Sequence, residues 1–406
     1  MSSVTNKQRV SFGYKQTNRQ RNNMKLPPQD FNNYDDEPYM NFSQLNRKRP
    51  RESHSPKFNK AKKLKQDDNN TVNSNSSNFH VLESELLNHY STAKQLDSTY
   101  TLKWKLCQDL FAMFIGIVPN LGVYLVGSSA NGFATEDTDA DICIVISSYP
   151  IDQKREAVKF LEIVRRALRK KIFAGSCDLI RARVPILRFT DYATRLRCDV
   201  NINNSTGIRN TDLLRFYSET DERVAPLVLT LKSWAKFHNI NDASQKTLSS
   251  YSITLMCLFY LQGIAKPSVV PVWQALLPNR FDVNIPVSRL KRTDEPKLTW
   301  RSENRQTVAE LFIGFLKFYA KDFRYDKHAI SVRMGCLMDK EEFLDNDHTH
   351  YGDALLAIEE PFDLSNTARS VYDDDEFERI IRVFRRSYFT IEKTKTFSSI
   401  LTEQFT

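Results

Sequence analysis

Between residues 139 and 146 the chain reads Asp139-Ala140-Asp141-Ile142-Cys143-Ile144-Val145-Ile146. A β-strand sends successive side chains to opposite faces. Asp139 and Asp141 therefore share one face, while Ala140, Ile142, Ile144 and Ile146 turn towards a core. Two carboxylates one pleat apart repel each other, so their face is stable only when open to water or to a cation. Arg197-Cys198-Asp199-Val200-Asn201-Ile202-Asn203 obeys the same rule, with Cys198, Val200 and Ile202 inward and Asp199 on the solvent side. The chain must build a sheet that is buried on one face and carries three carboxylates on the other. That geometry suits a pair of hard divalent ions about 3.5–4 Å apart.

An isolated Asp-x-Asp is weak evidence in a chain that is 26% charged, where it is usually a solvated strand end. The segment just upstream, Val126-Gly127-Ser128-Ser129-Ala130-Asn131-Gly132, makes the set specific. Glycine lets the backbone approach a phosphate, and the Ser128 hydroxyl and nearby amides can donate to it.

Apolar spacing predicts helices over 80–118 and 154–173, and strands over 121–126, 140–146, 179–189 and 197–203. After Pro226 the pattern is mainly helical: 227–238, 249–263, 308–323 and 377–388. Strands bracketed by helices predict an α+β fold, a small α/β unit inserted into a larger helical domain. The segment 263–305 is poorly patterned and suggests no role.

The charge is unevenly placed. Of a formal net charge of +9, residues 1–78 hold 15 Lys+Arg and 7 Asp+Glu, net +8, which leaves +1 for residues 79–406. This first segment is dominated by Asn, Ser and Gln and is too poor in apolar residues to offset its ordering entropy, so a disordered tail is expected. Its two basic clusters, 47–51 and 57–65, read as a bipartite nuclear-import signal, as an RNA-contacting arm, or as a plain solvated stretch. No apolar h-region opens the chain, and the longest apolar runs fall short of the roughly 20 residues that span a bilayer. Six scattered cysteines form no CxxC or Cys/His cluster, which argues against a zinc module and a disulfide framework. His348 and His350 sit in a charged loop and need no metal role.

With these motifs in view, the sequence resembles the polymerase-beta-like nucleotidyltransferases, whose signature is hydrophobic-Gly-Ser, a spacer, then Asp-x-Asp. Within them it is most similar to the cytoplasmic poly(A) RNA polymerases of the germline-development type, sister to the terminal uridylyltransferases. Matching stretches include VGSSANGF (126–133), DADICIV (139–145), CDVNINNSTGIRNTDLLR (198–215), PLVLTLKSWAKFHNINDAS (226–244) and IEEPFDLSNTARSV (358–371), within about residues 80–395. The resemblance implies a nucleotidyltransferase palm inserted into a helical central (PAP-associated) domain. The expected parts are a tail (1–78), a helical segment packing with the central domain (79–118), a catalytic domain (119–225) and a central domain (226–400).

The resemblance also implies transfer of a nucleoside monophosphate from ATP to the 3′-hydroxyl of RNA. Asp139, Asp141 and Asp199 would hold two Mg²⁺ or Mn²⁺ ions, and Gly127 and Ser128 would cradle the phosphates. Lys232 and Lys236, four apart on one helix face, would neutralise the triphosphate; a solvated helix face is the plain alternative. Ser250 would reach a phosphate and Tyr251 would stack on the base, or the two would be a helix N-cap and a core tyrosine. Asn210 and Thr211 resemble ribose contacts, although Asn210 could equally serve a turn.

Base choice falls to the loop 359–369 through Glu360, Asp363 and Asn366. Uridylyltransferases carry His where this chain has Asn366, so ATP is the expected donor; Asp363 could instead be a cap. RNA-binding regulatory proteins are the expected partners, with a cytoplasmic location and a nuclear one if the clusters at 47–65 serve import. Three functions stay open: RNA adenylyltransferase, terminal uridylyltransferase, and an inert scaffold that binds RNA or regulators.

Overall fold

The computed structural model describes residues 73–118, 121–147, 150–170, 176–290, 300–345 and 354–405. The basic clusters at 47–51 and 57–65, and His348 and His350, lie outside the described residues. The chain opens with α1 (Asn73–Ala93) and α2 (Asp97–Phe114), followed by β1 (Gly122–Val126), the short α3 (Ser128–Asn131) and β2 (Ala140–Val145). After a π-turn come α4 (Val158–Lys170), β3 (Cys177–Ile180), β4 (Ile186–Thr190) and β5 (Arg197–Ile202).

These strands form one sheet in the order β1-β2-β5-β4-β3, in which only the β2–β5 pair is parallel. The alternation in β2 and β5 decides the rest. Ala140, Ile142, Ile144, Cys198, Val200 and Ile202 are fully buried against Leu110 and Phe114 of α2 and Leu161, Val164 and Leu168 of α4. Both helices cover the same face of the sheet, which leaves the carboxylate face to look towards the rest of the molecule.

A helical body follows: α5 (Ser205–Thr220), α6 (Val224–Phe237), α7 (Ser250–Phe259), α8 (Trp273–Leu276), α9 (Val308–Lys317), α10 (Lys340–Leu344) and α11 (Asp374–Thr394). Its core is aromatic. Trp234 meets Phe384 edge-on at 5.0 Å, and its indole N–H donates to Ser387 Oγ at 2.9 Å, so this large side chain is buried without an orphaned donor. Truncating a Trp at such a site costs roughly 3–5 kcal/mol.

Four expectations are corrected. The helix expected over 80–118 is two helices that belong to different cores. Leu82 and Leu86 of α1 enter the helical body, whereas Leu106, Leu110 and Phe114 of α2 enter the sheet core, so the segment does not pack with the central domain alone. The strand expected over 179–189 is a hairpin, with Leu179 paired to Leu187 across the turn. The boundary at 225 falls inside shared structure. Unforeseen α5, capped by Asn204 accepting from Gly207 N, sends Ile208 to the sheet and Leu213, Phe216 and Tyr217 to the helical core. Finally, the body is not only helical: β6 (His328–Ser331) pairs with β7 (Cys336–Asp339) and, in parallel, with β8 (Ala357–Ile358).

The described part of segment 263–305, residues 263–290 and 300–305, is largely irregular, as its lack of pattern suggests. Arg209 of α5 anchors it by donating to the carbonyls of Asp282 (3.1 Å), Val283 (2.8 Å) and Ile285.

Candidate active site

Parallel pairing of β2 with β5 sets Asp141 directly beside Asp199, and Asp139 stands one pleat before Asp141 on the same face. Burial, then the neighbouring charges of Asp199 and Asp139, push the Asp141 carboxyl up to about 7. Two arginines answer the remaining charge. Arg188 of β4, in register with Asp199, grips it bidentately (Nε to Oδ1 2.8 Å, Nη2 to Oδ2 2.6 Å). Arg197 Nε donates to Asp139 Oδ1 at 2.7 Å. So turned, the carboxylates do not converge on a point that would hold an ion: among the described residues no three His, Cys, Asp or Glu side chains do. The donor set itself fits one. Three hard oxygen donors on one face of the sheet, with Asp141 lifted by burial and then by its two carboxylate neighbours, are the chemistry of a divalent-cation site.

Gly127 ends β1 at φ +67°, where a Cβ would collide with the Asp141 carboxylate. Only glycine allows the turn and the carboxylate to lie in contact. Its amide donates to Thr211 Oγ1 at 2.9 Å, and that hydroxyl donates in turn to Gly207 O at 2.7 Å. Thr211 therefore ties the turn to α5, and its hydroxyl is already committed. Ser128, in contrast, makes no side-chain hydrogen bond among the described residues and lines the cleft.

The cleft between sheet and helical body has a volume of about 930 Å³ and is lined by Gly127, Ser128, Asp139, Asp141, Asp199, Asn210, Thr211, Lys232, Lys236, Ser250 and Tyr251. One site thus gathers the expected metal and nucleotide residues. Lys232 Nζ donates to Phe133 O at 2.8 Å, and burial draws its ammonium down to about 8. Lys236 is exposed and lies 3.8 Å from Asp137, nearer the plain helix-face reading. Ser249, not Ser250, caps α7 by accepting from Ser252 N; Ser250 is exposed and donates to Asn241 Oδ1 at 3.1 Å. Tyr251 donates to Glu360 Oε1 at 3.1 Å, and burial keeps its hydroxyl protonated well above the usual range. Asn210 Oδ1 is buried and has no partner, an acceptor left over at the cleft wall.

The three base-edge candidates are not among the cleft-lining residues. Glu360 accepts from the amides of Phe362 and Asp363 as well as from Tyr251, and burial raises its carboxyl. Asp363 is exposed and its Oδ1 accepts from Ser365 N and Oγ, a turn within the loop rather than a helix cap, since no helix begins between β8 and α11. Asn366 is 0% exposed. Its Nδ2 donates to Leu356 O at 2.9 Å, and its Oδ1 accepts from Ile358 N (3.1 Å) and Ala368 N (2.9 Å). It builds the loop, and any effect on the base passes through the loop's shape.

Sequence reading missed Arg188 and Arg197, which look like ordinary strand-end charges until the register sets them opposite Asp199 and beside Asp139. It also missed Asn201, 8% exposed on the Asp199 face with its Oδ1 unpartnered, and the buried Lys103. Lys103 did leave a signal: Thr99, Lys103, Leu106 and Leu110 share one helical stripe.

Two family models match the chain: the central palm domain of mitochondrial-like poly(A) RNA polymerases over residues 82–219, and the Cid1 family of poly A polymerases over 307–366. "Poly(A) RNA polymerase gld-2 homolog A" of Drosophila melanogaster is 41% identical over 76% of this chain and 23% of its own length. "Poly(A) RNA polymerase GLD2" of Danio rerio is 38% identical over 79% of this chain and 64% of its own. The chain thus spans less than two thirds of these relatives. Among solved structures, the GLD-2/RNP-8 complex matches with TM-score 0.71 and 34% identity, over 80% of this chain and 98% of that one.

Proposed function

Because the chain belongs to the GLD2 family of poly(A) RNA polymerases, we propose that it adds AMP from ATP to RNA 3′ ends without a template. The observation that carries this reading is the pairing of Asp141 with Asp199 across parallel strands, with the Gly127 turn against Asp141 and Lys232 in the same cleft.

Asp139, Asp141 and Asp199 would hold two divalent ions, Mg²⁺ or Mn²⁺, which would supply charge neutralisation at the reacting phosphate. The chain's own groups do the positioning. The turn at Gly127 and Ser128 receives the phosphates, Lys232 pairs with triphosphate charge, and Tyr251 stacks on the base. Such stacking contributes about 1–3 kcal/mol and tolerates any base. The unpartnered Asn210 Oδ1 accepts from a ribose hydroxyl. Asp199, the carboxylate nearest β4 and the outer half of the sheet, takes the proton of the attacking 3′-hydroxyl.

Since residues 79–406 carry a net charge of only +1, intrinsic RNA affinity is modest and specific RNAs are delivered by regulatory proteins. The structural neighbour GLD-2 is itself found in complex with RNP-8. Location is proposed as cytoplasmic, with residues 47–65 available for nuclear import.

The test is a panel of single nucleotides on an RNA primer. ATP with Mg²⁺ gives the longest products, and Asp139→Ala gives none. Longer products with UTP would transfer the assignment to uridylyl transfer. No incorporation of any nucleotide, even with a regulatory partner, would leave the scaffold reading.

A further inference from the structure

Behind the carboxylate face lies a buried ammonium. Lys103 of α2 is 0% exposed and spends all three N–H donors: on Gln95 Oε1 (2.7 Å), Ser129 Oγ (2.9 Å) and Thr138 O (2.6 Å). The Ser129 hydroxyl, having accepted from Lys103, donates onward to Asp139 O at 3.0 Å. Gln95 closes the ring by donating from Nε2 to Ser129 O at 3.2 Å.

The carbonyls on both sides of the Asp139 residue, Thr138 O and Asp139 O, are thus held by Lys103, one directly and one through Ser129. The same corner between α1 and α2 clasps the loop leading to Asp139 at three more points. Gln95 N donates to Ala134 O, Glu136 N donates to Ala93 O, and the Glu136 carboxylate accepts from Leu96 N and Thr99 Oγ1.

We infer that Lys103 is a positioning residue: its caged ammonium fixes the backbone of Asp139 relative to the Gly127–Ser129 turn, and so sets the spacing between the first metal-binding carboxylate and the phosphate cradle. A lysine serving only to fill the core would have no reason to meet three polar acceptors from three segments. A buried, unpaired ammonium would be strongly destabilising. Here every donor is satisfied, and the charge sits where Asp139, Asp141 and Glu136 all feel it. Displacement by about 1 Å at such a point costs on the order of 100-fold in rate.

The inference rests on the catalytic reading of Asp139, and its test separates the two. Lys103→Met keeps the length of the side chain and removes the donors. Ser129→Ala keeps the charge but removes both the acceptor for one Lys103 N–H and the donor to Asp139 O, and so cuts the relay from Lys103 to that carbonyl. Each variant of the full chain is measured for kcat and KM with ATP and an RNA primer, and for binding of Mn²⁺ alone by the electron-paramagnetic signal of the free ion.

Lys103→Met is expected to lower kcat on the order of 30-fold with both KM values within about threefold, and to weaken Mn²⁺ binding. Ser129→Ala moves kcat and Mn²⁺ binding the same way by several-fold, and decides the matter if Lys103→Met does not fold. Wild-type kcat and Mn²⁺ binding in a folded Ser129→Ala or Lys103→Met protein would overturn the inference. If the wild-type chain extends no RNA, it is the catalytic reading that fails; Mn²⁺ binding then judges Lys103 alone, weaker binding in the variants upholding its positioning role and unchanged binding overturning it.

Discussion

At Asp141 three effects converge on one side chain: burial, the charge of Asp199 and the charge of Asp139, together pushing its carboxyl up to about 7. An acid whose folded-state pKa lies above its unfolded value of 3.8 holds a proton in the fold that the unfolded chain has already lost. Between about pH 4 and 7 the fold binds more protons, so the metal-free protein loses stability as pH rises through that window, with the full penalty above it. Asp141→Asn should therefore raise the metal-free melting temperature at pH 8, with at most about 4 kcal/mol of stability gained, while abolishing nucleotide addition. Equal melting of variant and wild type at pH 8 would contradict the burial argument.

Lys232 runs the other way. Its ammonium, drawn from 10.5 to about 8 by burial, is lost from the fold before it is lost from the unfolded chain. KM for ATP should accordingly climb above pH 8, and in Lys232→Arg that rise should disappear even if the rate is lower. A KM flat from pH 7 to 9.5 in the wild type would exclude Lys232 from triphosphate binding. These carboxylates and this lysine were legible in the sequence because strand alternation and helix spacing dictate which side chains share a face. Arg188, Arg197 and Asn201 were not, since their meaning lies in cross-strand register, which no local pattern encodes.

Among the elements, the loop joining β8 to α11 shows how a residue can influence specificity without facing the ligand. Asn366 spends both of its polar groups on the backbone of Leu356, Ile358 and Ala368. Asn366→Ala leaves buried amides and a carbonyl unpaired and is expected to cost about 2–3 kcal/mol, read as loss of hydrogen-exchange protection over 356–368. The ratio of ATP to UTP use should fall with it, because Glu360 and Tyr251 lose their support. An unchanged ratio in a folded variant would separate the loop from base choice.

The division of 80–118 between two cores was hidden for a related reason. Each helix buries a short apolar stripe, Leu82 and Leu86 in α1 and Leu106, Leu110 and Phe114 in α2, and such a stripe says that a face is buried without saying against what. The small sheet of β6, β7 and β8 escaped notice because strands of two to four residues are too short to show a period of two. Helix α5 did carry a start signal, Asn204 followed by Gly207, but the apolar strand immediately before it dominated the window.

At the scale of the whole molecule, two hydrophobic cores lie either side of one cleft, and α5 contributes to both sides. The described cores are built from residues beyond 78, whereas residues 1–72 carry 15 Lys+Arg and 7 Asp+Glu, net +8 of the chain's +9. Deletion of that segment should leave the melting temperature unchanged within error. It should also weaken RNA binding and flatten its dependence on salt, since each lost phosphate contact removes about one unit of the log–log slope. An unaltered slope would assign the basic clusters to import alone.

The pairing of β2 with β5 has a consequence for the life of the chain before it is complete. Asp141 meets Asp199 only after the intervening helix and hairpin have been made and folded, and Lys232, Tyr251 and Glu360 come later still from the growing end. A product of premature termination anywhere before the helical body carries an acidic sheet face with no opposing wall, able to attract a cation and unable to hold a nucleotide.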